Sequence, residues 1–256
     1  MNNKIDISVA IITKNEEKRL HECLKSVQFA NDIIVVDSGS TDNTVEIARS
    51  FGCRVYVEEW KGYGPQKNSA IQKSKNEWVL VLDADENIPV ETQKKIITVL
   101  KNPKADAYSF SRKTFFHGKW IRHCGWWPDK IVRLLRKSKG SFQRQIHESW
   151  ATEGSVAHID AFINHNSFEN YSNMLKKLDE YSTATAYELH QANRKVLPTT
   201  PILRGLWTFF RIYIIKLGFL AGLDGLVIAL TNAGGTFFKY AKLYELQKDN
   251  KYIEEK

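Results

Sequence analysis

The sequence predicts an α/β fold in which helices flank a mostly parallel sheet, with a helical region after it. Four short apolar runs alternate with helical patterns through residues 7–100. Two of these runs end in acids, at the position where open parallel sheets bind their ligands. Beyond residue 170 the alternation stops and the pattern becomes helical. At 256 residues, the chain is long enough for one large α/β domain and an appendage.

The predicted strands are short apolar runs, at residues 7–13, 32–37, 54–57 and 78–82. The predicted helices lie between and after them, at residues 16–27, 43–51, 65–74 and 89–100. The first helix carries Leu20 and Leu24 on one apolar stripe. Gly52 suits the end of the second helix because glycine tolerates a positive φ. Pro65 and Pro89 suit the first turns of the third and fourth helices.

The fourth strand is an unbroken apolar run, as in strands buried on both faces, and it ends in Asp83-Ala84-Asp85-Glu86. Side chains two residues apart on extended chain point the same way, so Asp83 and Asp85 can face one phosphate-bound cation. The alternative is an acidic surface turn. Neither a dinucleotide-binding GxGxxG nor a P-loop follows the first strand, where Thr13-Lys14-Asn15-Glu16 stands. A divalent cation, Mg or Mn, is therefore the candidate for handling phosphates.

Composition and charge limit the classes of protein and partner that fit the sequence. The hydrophobic content of 43% indicates a folded protein. The three cysteines have no CxxC spacing, which argues against a disulfide framework or a zinc site. The net charge of +8 is concentrated in residues 112–144, which contain ten Lys or Arg and one acid, Asp129. This segment suits an anionic partner, or it is a solvated basic face. The N-terminus carries no secretory signal pattern.

Three stretches, residues 7–20, 33–44 and 79–86, resemble the signature of family 2 glycosyltransferases of GT-A fold. The resemblance covers roughly residues 5–170. Residues 125–136 and 145–148 look like the lipopolysaccharide-core β-1,4-glucosyltransferase branch, which acts on an inner-core heptose. The resemblance implies a metal-dependent inverting hexosyltransferase that uses a UDP-sugar such as UDP-glucose. It also implies a catalytic domain at 1–170, with a nucleotide-sugar half to about 105 and an acceptor half from 106, and a helical region at 171–256.

The resemblance also implies roles for individual residues. The nucleotide-sugar ligands would be Thr13, Asn15, Glu16, Asp37, Lys67, Asn68 and Asp83. Among these, Asp37 matches the acid that hydrogen-bonds the uracil ring. The metal ligands would be Asp85, Asp83, His165 and His147. The catalytic base would be Glu148, with Asp129 as second choice. From residue type, Arg122, Trp126 and Trp127 are expected to contact the acceptor, since indole rings stack on sugar faces; the alternative is that the two tryptophans are core aromatics.

Rival classes fit the sequence less well. A sugar-1-phosphate nucleotidyltransferase needs a Gly-rich basic loop after the first strand, and Lys14-Asn15-Glu16-Glu17 is too acidic. A transferase that delivers sugar to polyprenyl phosphate remains open. A non-enzymatic basic protein that binds nucleic acid would explain residues 112–144 but not the acids at strand ends, so we expect no nucleic-acid partner. An oligomer is compatible with the sequence.

The C-terminal region predicts membrane association. Residues 171–193 form a polar helical pattern, and residues 202–238 are apolar but interrupted by charges. Their longest uncharged run is 14 residues, short of the roughly 20 that span a bilayer. Five apolar residues fit one helical stripe: Leu206, Phe209, Phe210, Tyr213 and Ile214. We expect a peripheral or monotopic protein on the cytoplasmic side of the inner membrane, facing a lipid-linked acceptor. The alternative is that these helices pack on the catalytic domain or pair two subunits.

Overall fold

The computed structural model describes residues 4–143 and 149–254. Its strands in chain order are β1 (Ile5–Thr13), β2 (Ala30–Asp37), β3 (Arg54–Val57), β4 (Trp78–Asp83), β5 (Glu86–Asn87), β6 (Ala107–Phe116), β7 (Lys119–Trp120), β8 (Lys130–Arg136), β9 (Gly140–Gln143), β10 (Ser149–Thr152) and β11 (Val156–Phe168). Its α-helices are α1 (Glu17–Ser26), α2 (Thr44–Ser50), α3 (Tyr63–Gln72), α4 (Val90–Lys101), α5 (Tyr171–Gln191), α6 (Thr200–Phe210) and α7 (Gly222–Glu254). A π-helical turn, Arg211–Ile215, follows α6, and 3₁₀ turns lie at Lys137–Lys139 and Gly218–Ala221. The predicted α/β class is confirmed.

The first half of the sheet is parallel. β1 lies between β2 and β4, and β3 pairs with the outer edge of β2. Thr13 pairs with Asp37, and Ile12 with Asp83, so three strands end in polar residues at one edge. Ile11 and Leu82 are fully buried because helices cover both faces of these strands. The parallel half therefore brings the predicted nucleotide-binding residues of different strands to one edge.

The second half of the sheet is antiparallel and was not predicted from the sequence. β8 pairs antiparallel with β4, β6 with β8, and β11 lies between β6 and the short strand β5. In the pairing of β5 with β11, His165 stands opposite Glu86. The sheet thus places His165, about eighty residues further along the chain, beside the acidic turn after β4.

The chain divides into two compact units. The first comprises Met1–Lys113 and Asp129–Asn166, and the second comprises Thr114–Pro128 and Ser167–Lys256. In the second unit, α7 packs against α5 and α6. A small apolar core there includes Phe116, Met174 and Ile228. The predicted domain boundary near residue 170 stays a prediction.

One described helix meets the length and composition needed to cross a membrane. It lies within Gly218–Lys248, which the structure builds as a continuous helix from Gly222. The charged residues on either side of its longest uncharged run lie within the helix and do not interrupt it.

Candidate active site

Asp83, the last residue of β4, is held by two buried cations. Lys67 Nζ lies 2.8 Å from Asp83 Oδ1, and Arg133 donates from Nη2 to Asp83 Oδ2 at 2.7 Å. Lys67 is fully buried on α3, and Arg133 is 4% exposed on β8. Burial raises the pKa of Asp83, but the nearby charges of Lys67 and Arg133 outweigh it and hold that pKa well below its usual range. Asp83 is therefore a fixed carboxylate with a positive environment.

Arg133 also connects Asp83 to a third acid. Its Nη2 donates to Glu86 Oε1 at 2.7 Å, and Glu86 Oε2 accepts from the backbone N–H of Asp83 at 3.1 Å. Arg112 Nη1 lies 3.5 Å from Glu86 Oε1, and its Nε donates to Asp129 Oδ2 at 2.8 Å. Three carboxylates and three cations thus form one chain of ion pairs from α3 to Asp129. We call this chain the ion-pair network; it fixes the turn that carries Asp85.

Asp85 has different surroundings. Its Oδ2 lies 3.4 Å from His165 Nε2 and 3.8 Å from Arg19 Nη1. Its Oδ1 is buried and has no hydrogen-bond partner. Burial raises the pKa of Asp85, but the charge and hydrogen bond of His165, with help from Arg19, outweigh it and lower that pKa. A buried carboxylate oxygen without a partner is costly, which indicates a place for a cation or a donor group.

These residues fit a divalent cation. Among the described residues, no three His, Cys, Asp or Glu side chains gather as a complete metal site. Asp85 and His165 supply two donors, and cations of nucleotide-phosphate sites are held by one or two carboxylates, with phosphate oxygens and water as the other ligands. The unpartnered Oδ1 of Asp85 is the oxygen such a cation needs. Both oxygens of Asp83 are engaged by Lys67 and Arg133.

At the end of β2, Asp37 organises the turn that follows. Its Oδ1 accepts from the backbone N–H of Gly39 at 3.0 Å and of Ser40 at 2.8 Å, and the Ser40 hydroxyl donates to Oδ2. Asn15, at φ +53°, donates its backbone N–H to Ser40 Oγ at 2.8 Å. Thr13 Oγ1 is buried without a hydrogen-bond partner beside this turn. The turn is therefore pre-shaped, and Asp37 keeps one acceptor position, on Oδ2, for a further donor.

Two other residues that were predicted to bind the nucleotide-sugar, Glu16 and Asn68, form hydrogen bonds within the protein. Glu16 binds Arg19 through both carboxylate oxygens, each at 2.7 Å. Asn68 donates to the carbonyl of Phe142 and accepts from its N–H, both at 2.8 Å, which ties α3 to β9. Asn68 therefore aligns α3, the helix that carries Lys67.

The predicted acceptor-binding residues belong to the second unit. The Arg122 guanidinium stacks on Trp120 at 4.2 Å, and Trp127 packs edge-on against the same ring at 5.1 Å. Trp126 stacks on Phe168 at 6.1 Å. Arg122 is exposed. Of the remaining candidates, Glu148 and His147 lie outside the described residues.

Sequence reasoning missed Arg133, Arg112 and Arg19, which it treated as surface charge or left unassigned. Arg133 interrupts the apolar pattern of β8, and a cation inside a buried strand signals a carboxylate partner. Glu86 was visible as the third acid of the turn. Nothing local marks Arg19, whose Nη1 donates to the Asn166 carbonyl at 2.9 Å across the fold.

Comparison with known proteins decides the family. The model of glycosyl transferase family 2 matches residues 8–171. The chain belongs to this family. The resemblance that the sequence motifs indicate is thereby confirmed.

Relatives cover nearly the whole chain. An uncharacterized glycosyltransferase of Rickettsia bellii is 34% identical over 254 residues, covering 94% of this chain and 86% of the relative. The lipopolysaccharide core biosynthesis glycosyltransferase LpsC of Rhizobium meliloti is 28% identical over 262 residues, covering 94% of this chain and 93% of LpsC. The chain is thus similar to a lipopolysaccharide core biosynthesis glycosyltransferase along most of its length.

Solved structures give the same fold. The crystal structure of S. aureus TarS 1–349 matches with a TM-score of 0.50 and 17% identity, covering 96% of this chain and 92% of TarS. A further crystal structure of TarS 1–349 is a complex with UDP-GlcNAc and matches equally well, with a TM-score of 0.50. At this identity the likeness shows the GT-A fold alone, as the sequence predicts.

Proposed function

We propose that this family 2 glycosyltransferase moves a sugar from a UDP-sugar to a lipid-linked glycan, with inversion at the anomeric carbon. The observation that carries the proposal is the contrast between the two aspartates after β4. Asp83 is fixed by Lys67 and Arg133, whereas Asp85 keeps a buried oxygen free beside His165. This is the arrangement that a cation–diphosphate substrate requires.

On the donor side, Asp85 and His165 would hold the cation, Mg or Mn. When bound, the cation stabilises the negative charge that develops on the leaving diphosphate. Lys67 and Arg133 hold Asp83 in place, so the turn that carries Asp85 needs no reorganisation during the reaction. The turn at Asp37 and Asn15 would receive the uracil and ribose. The UDP-GlcNAc bound by TarS supports a UDP-linked donor; we propose glucose from the branch that the motifs resemble.

On the acceptor side, we propose Glu148 as the base that removes the proton of the attacking hydroxyl. Asp129 is the second candidate, but Arg112 Nε and Nη2 lie 2.8 and 2.7 Å from its Oδ2, so that oxygen is already engaged. A single base with direct attack gives a β-linked product from an α-linked donor. Arg122, Trp126 and Trp127 would contact the acceptor sugars.

The similarity to LpsC supports an acceptor of the lipopolysaccharide core, such as an inner-core heptose. Such an acceptor is lipid-linked, which agrees with the apolar helix in the C-terminal region. We therefore propose a peripheral or monotopic location on the cytoplasmic side of the inner membrane.

A donor and acceptor screen tests the proposal. UDP-glucose, UDP-galactose and UDP-GlcNAc would each be supplied with Mg²⁺ or Mn²⁺, and with either truncated core glycan or polyprenyl phosphate. Mass spectrometry of the products reads the outcome. We expect a single hexose added to the core glycan from UDP-glucose. Transfer to polyprenyl phosphate alone would favour the runner-up function, and no transfer from any UDP-sugar would overturn the proposal.

A further inference from the structure

The second unit exposes an unusually dense apolar surface. Of the 21 large hydrophobic side chains exposed among the described residues, eleven lie between 202 and 223. They include Leu203, Leu206, Trp207, Phe210 and Leu223, each between 47% and 67% exposed. We call residues 202–223 the apolar wedge. Such a concentration of exposed apolar side chains in one segment, unlike single ones scattered over a surface, indicates a contact with a protein or a membrane.

The charges of this segment indicate which kind of surface it contacts. From residue 202 to residue 238 the sequence has three cations, Arg204, Arg211 and Lys216, and one acid, Asp224. All three cations are exposed. Asp224 is 7% exposed and turned inward, because its Oδ1 accepts from the Tyr171 hydroxyl at 2.8 Å and lies 2.9 Å from His117 Nδ1. The wedge therefore offers apolar side chains and positive charge together, which complements an anionic bilayer surface.

Packing within the second unit argues against α7 as a lone membrane span. Gly205 of α6 lies so close to α7 that an added Cβ would come within 3.3 Å of Phe237 Cβ. Lys242 of α7 donates to Asp179 Oδ1 at 2.7 Å and to Thr183 Oγ1 at 2.6 Å on α5. The helix α5 carries five lysines and acids from Lys176 to Glu188, and such charges are expensive inside a bilayer. Since α5 and α7 pack together, α7 stays with the folded unit.

We propose that the apolar wedge inserts into the headgroup region of an anionic phospholipid bilayer, with Arg204, Arg211 and Lys216 on lipid phosphates and α7 beyond Leu223 outside the hydrocarbon core. The inference deepens the membrane location proposed above by naming the surface and the lipid class. It does not depend on glycosyl transfer, because lipid binding is measured without donor or acceptor.

Vesicle flotation of the full-length protein tests the wedge. The vesicles would contain phosphatidylcholine alone or an about 3:1 mixture with phosphatidylglycerol. Leu206→Glu with Leu223→Glu should lower partitioning into mixed vesicles at least about tenfold. The matched control is Leu175→Glu with Val90→Glu, which adds the same charge at positions 59% and 61% exposed outside the wedge. We expect the control to float like the wild type, and both variants to keep the wild-type unfolding midpoint.

A second variant tests the charges separately. Arg204→Gln with Arg211→Gln and Lys216→Gln should weaken binding to mixed vesicles about a hundredfold and leave binding to neutral vesicles unchanged. Equal flotation of the wedge variant and the control would overturn the proposal. The proposal would also be overturned if the wild type were a dimer, the wedge variant a monomer, and flotation the same for both. A second copy of the chain would then cover the wedge. Failure of UDP-sugar turnover with wedge-dependent flotation intact would refute only the proposed function.

Discussion

Removing Arg133 should be one of the most damaging single changes in the first unit. Its Nη2 lies 2.7 Å from both Asp83 Oδ2 and Glu86 Oε1, and both Arg133 and Glu86 are almost fully buried. Arg133→Met keeps most of the side-chain volume but leaves the buried Glu86 and the partly exposed Asp83 each short of a partner. The substitution therefore isolates the ion pairs from packing.

The expected loss of unfolding free energy follows from the two ion pairs that Arg133 makes. Each of the two pairs contributes about 4 kcal/mol at a charge separation of about 4 Å and an effective dielectric constant of about 20. The buried guanidinium itself costs several kcal/mol to desolvate, so the net loss is about 3–5 kcal/mol of unfolding free energy at pH 7. Arg136→Met is the control on the same strand, because its ion pair with Asp106 is 3.9 Å long and partly exposed. The control should lose about 1 kcal/mol or less.

Urea unfolding at pH 7 and pH 5 is the assay. In the wild type the pKa of Asp83 is depressed, so its stabilisation is complete above the unfolded pKa and disappears only as pH falls through the folded value. In Arg133→Met the Asp83 carboxylate loses one of the charges that lower its pKa and binds a proton more readily, so the loss of unfolding free energy should shrink from pH 7 to pH 5. Equal losses for Arg133→Met and Arg136→Met, at both pH values, would refute the ion-pair network.

Three further substitutions test the proposed base, a proposed cation ligand and the ion pairs of Glu58. Glu148→Gln should lower kcat about 10²–10⁴-fold while UDP binding by calorimetry is unchanged; if Asp129→Asn is the crippling change instead, the roles are exchanged. His165→Gln should weaken Mn²⁺ binding about 10–100-fold by electron paramagnetic resonance, and unaltered affinity would remove His165 from the site. Lys73, Ser69 and Lys61 hold the pKa of Glu58 at about 2, so Glu58→Gln should cost about 1 kcal/mol above about pH 4.5 and nothing below about pH 2.

The sequence predicts the parallel half of the sheet well because each strand there is a local apolar run. β6 and β8 escape prediction because Arg112, Lys113 and Arg133 interrupt their apolar pattern. Two of those charges, Arg112 and Arg133, turn inward to Asp83, Glu86 and Asp129, so the feature that hides the strands also builds the site. The pairing of His165 with Glu86 depends on sheet register across the fold, and no local pattern encodes it.

The apolar stripe of the C-terminal region is also only partly as predicted. Leu206, Phe210 and Ile214 are exposed, whereas Phe209 and Tyr213 pack against the core of the second unit. Adjacent residues of an α-helix stand about 100° apart, so the stripe is already divided within α6, with Phe209 on the packed side and Phe210 on the exposed side.

The central claim is that the turn after β4 holds a cation–diphosphate donor through Asp85. The most direct measurement is metal-dependent turnover of a UDP-sugar by the wild type and by Asp85→Ala, with thermal unfolding of both as the control for folding. The account predicts that chelator abolishes wild-type turnover, that Asp85→Ala lowers turnover at least about 10³-fold at saturating Mn²⁺, and that its unfolding midpoint does not fall. Turnover that survives both the substitution and excess chelator would contradict it.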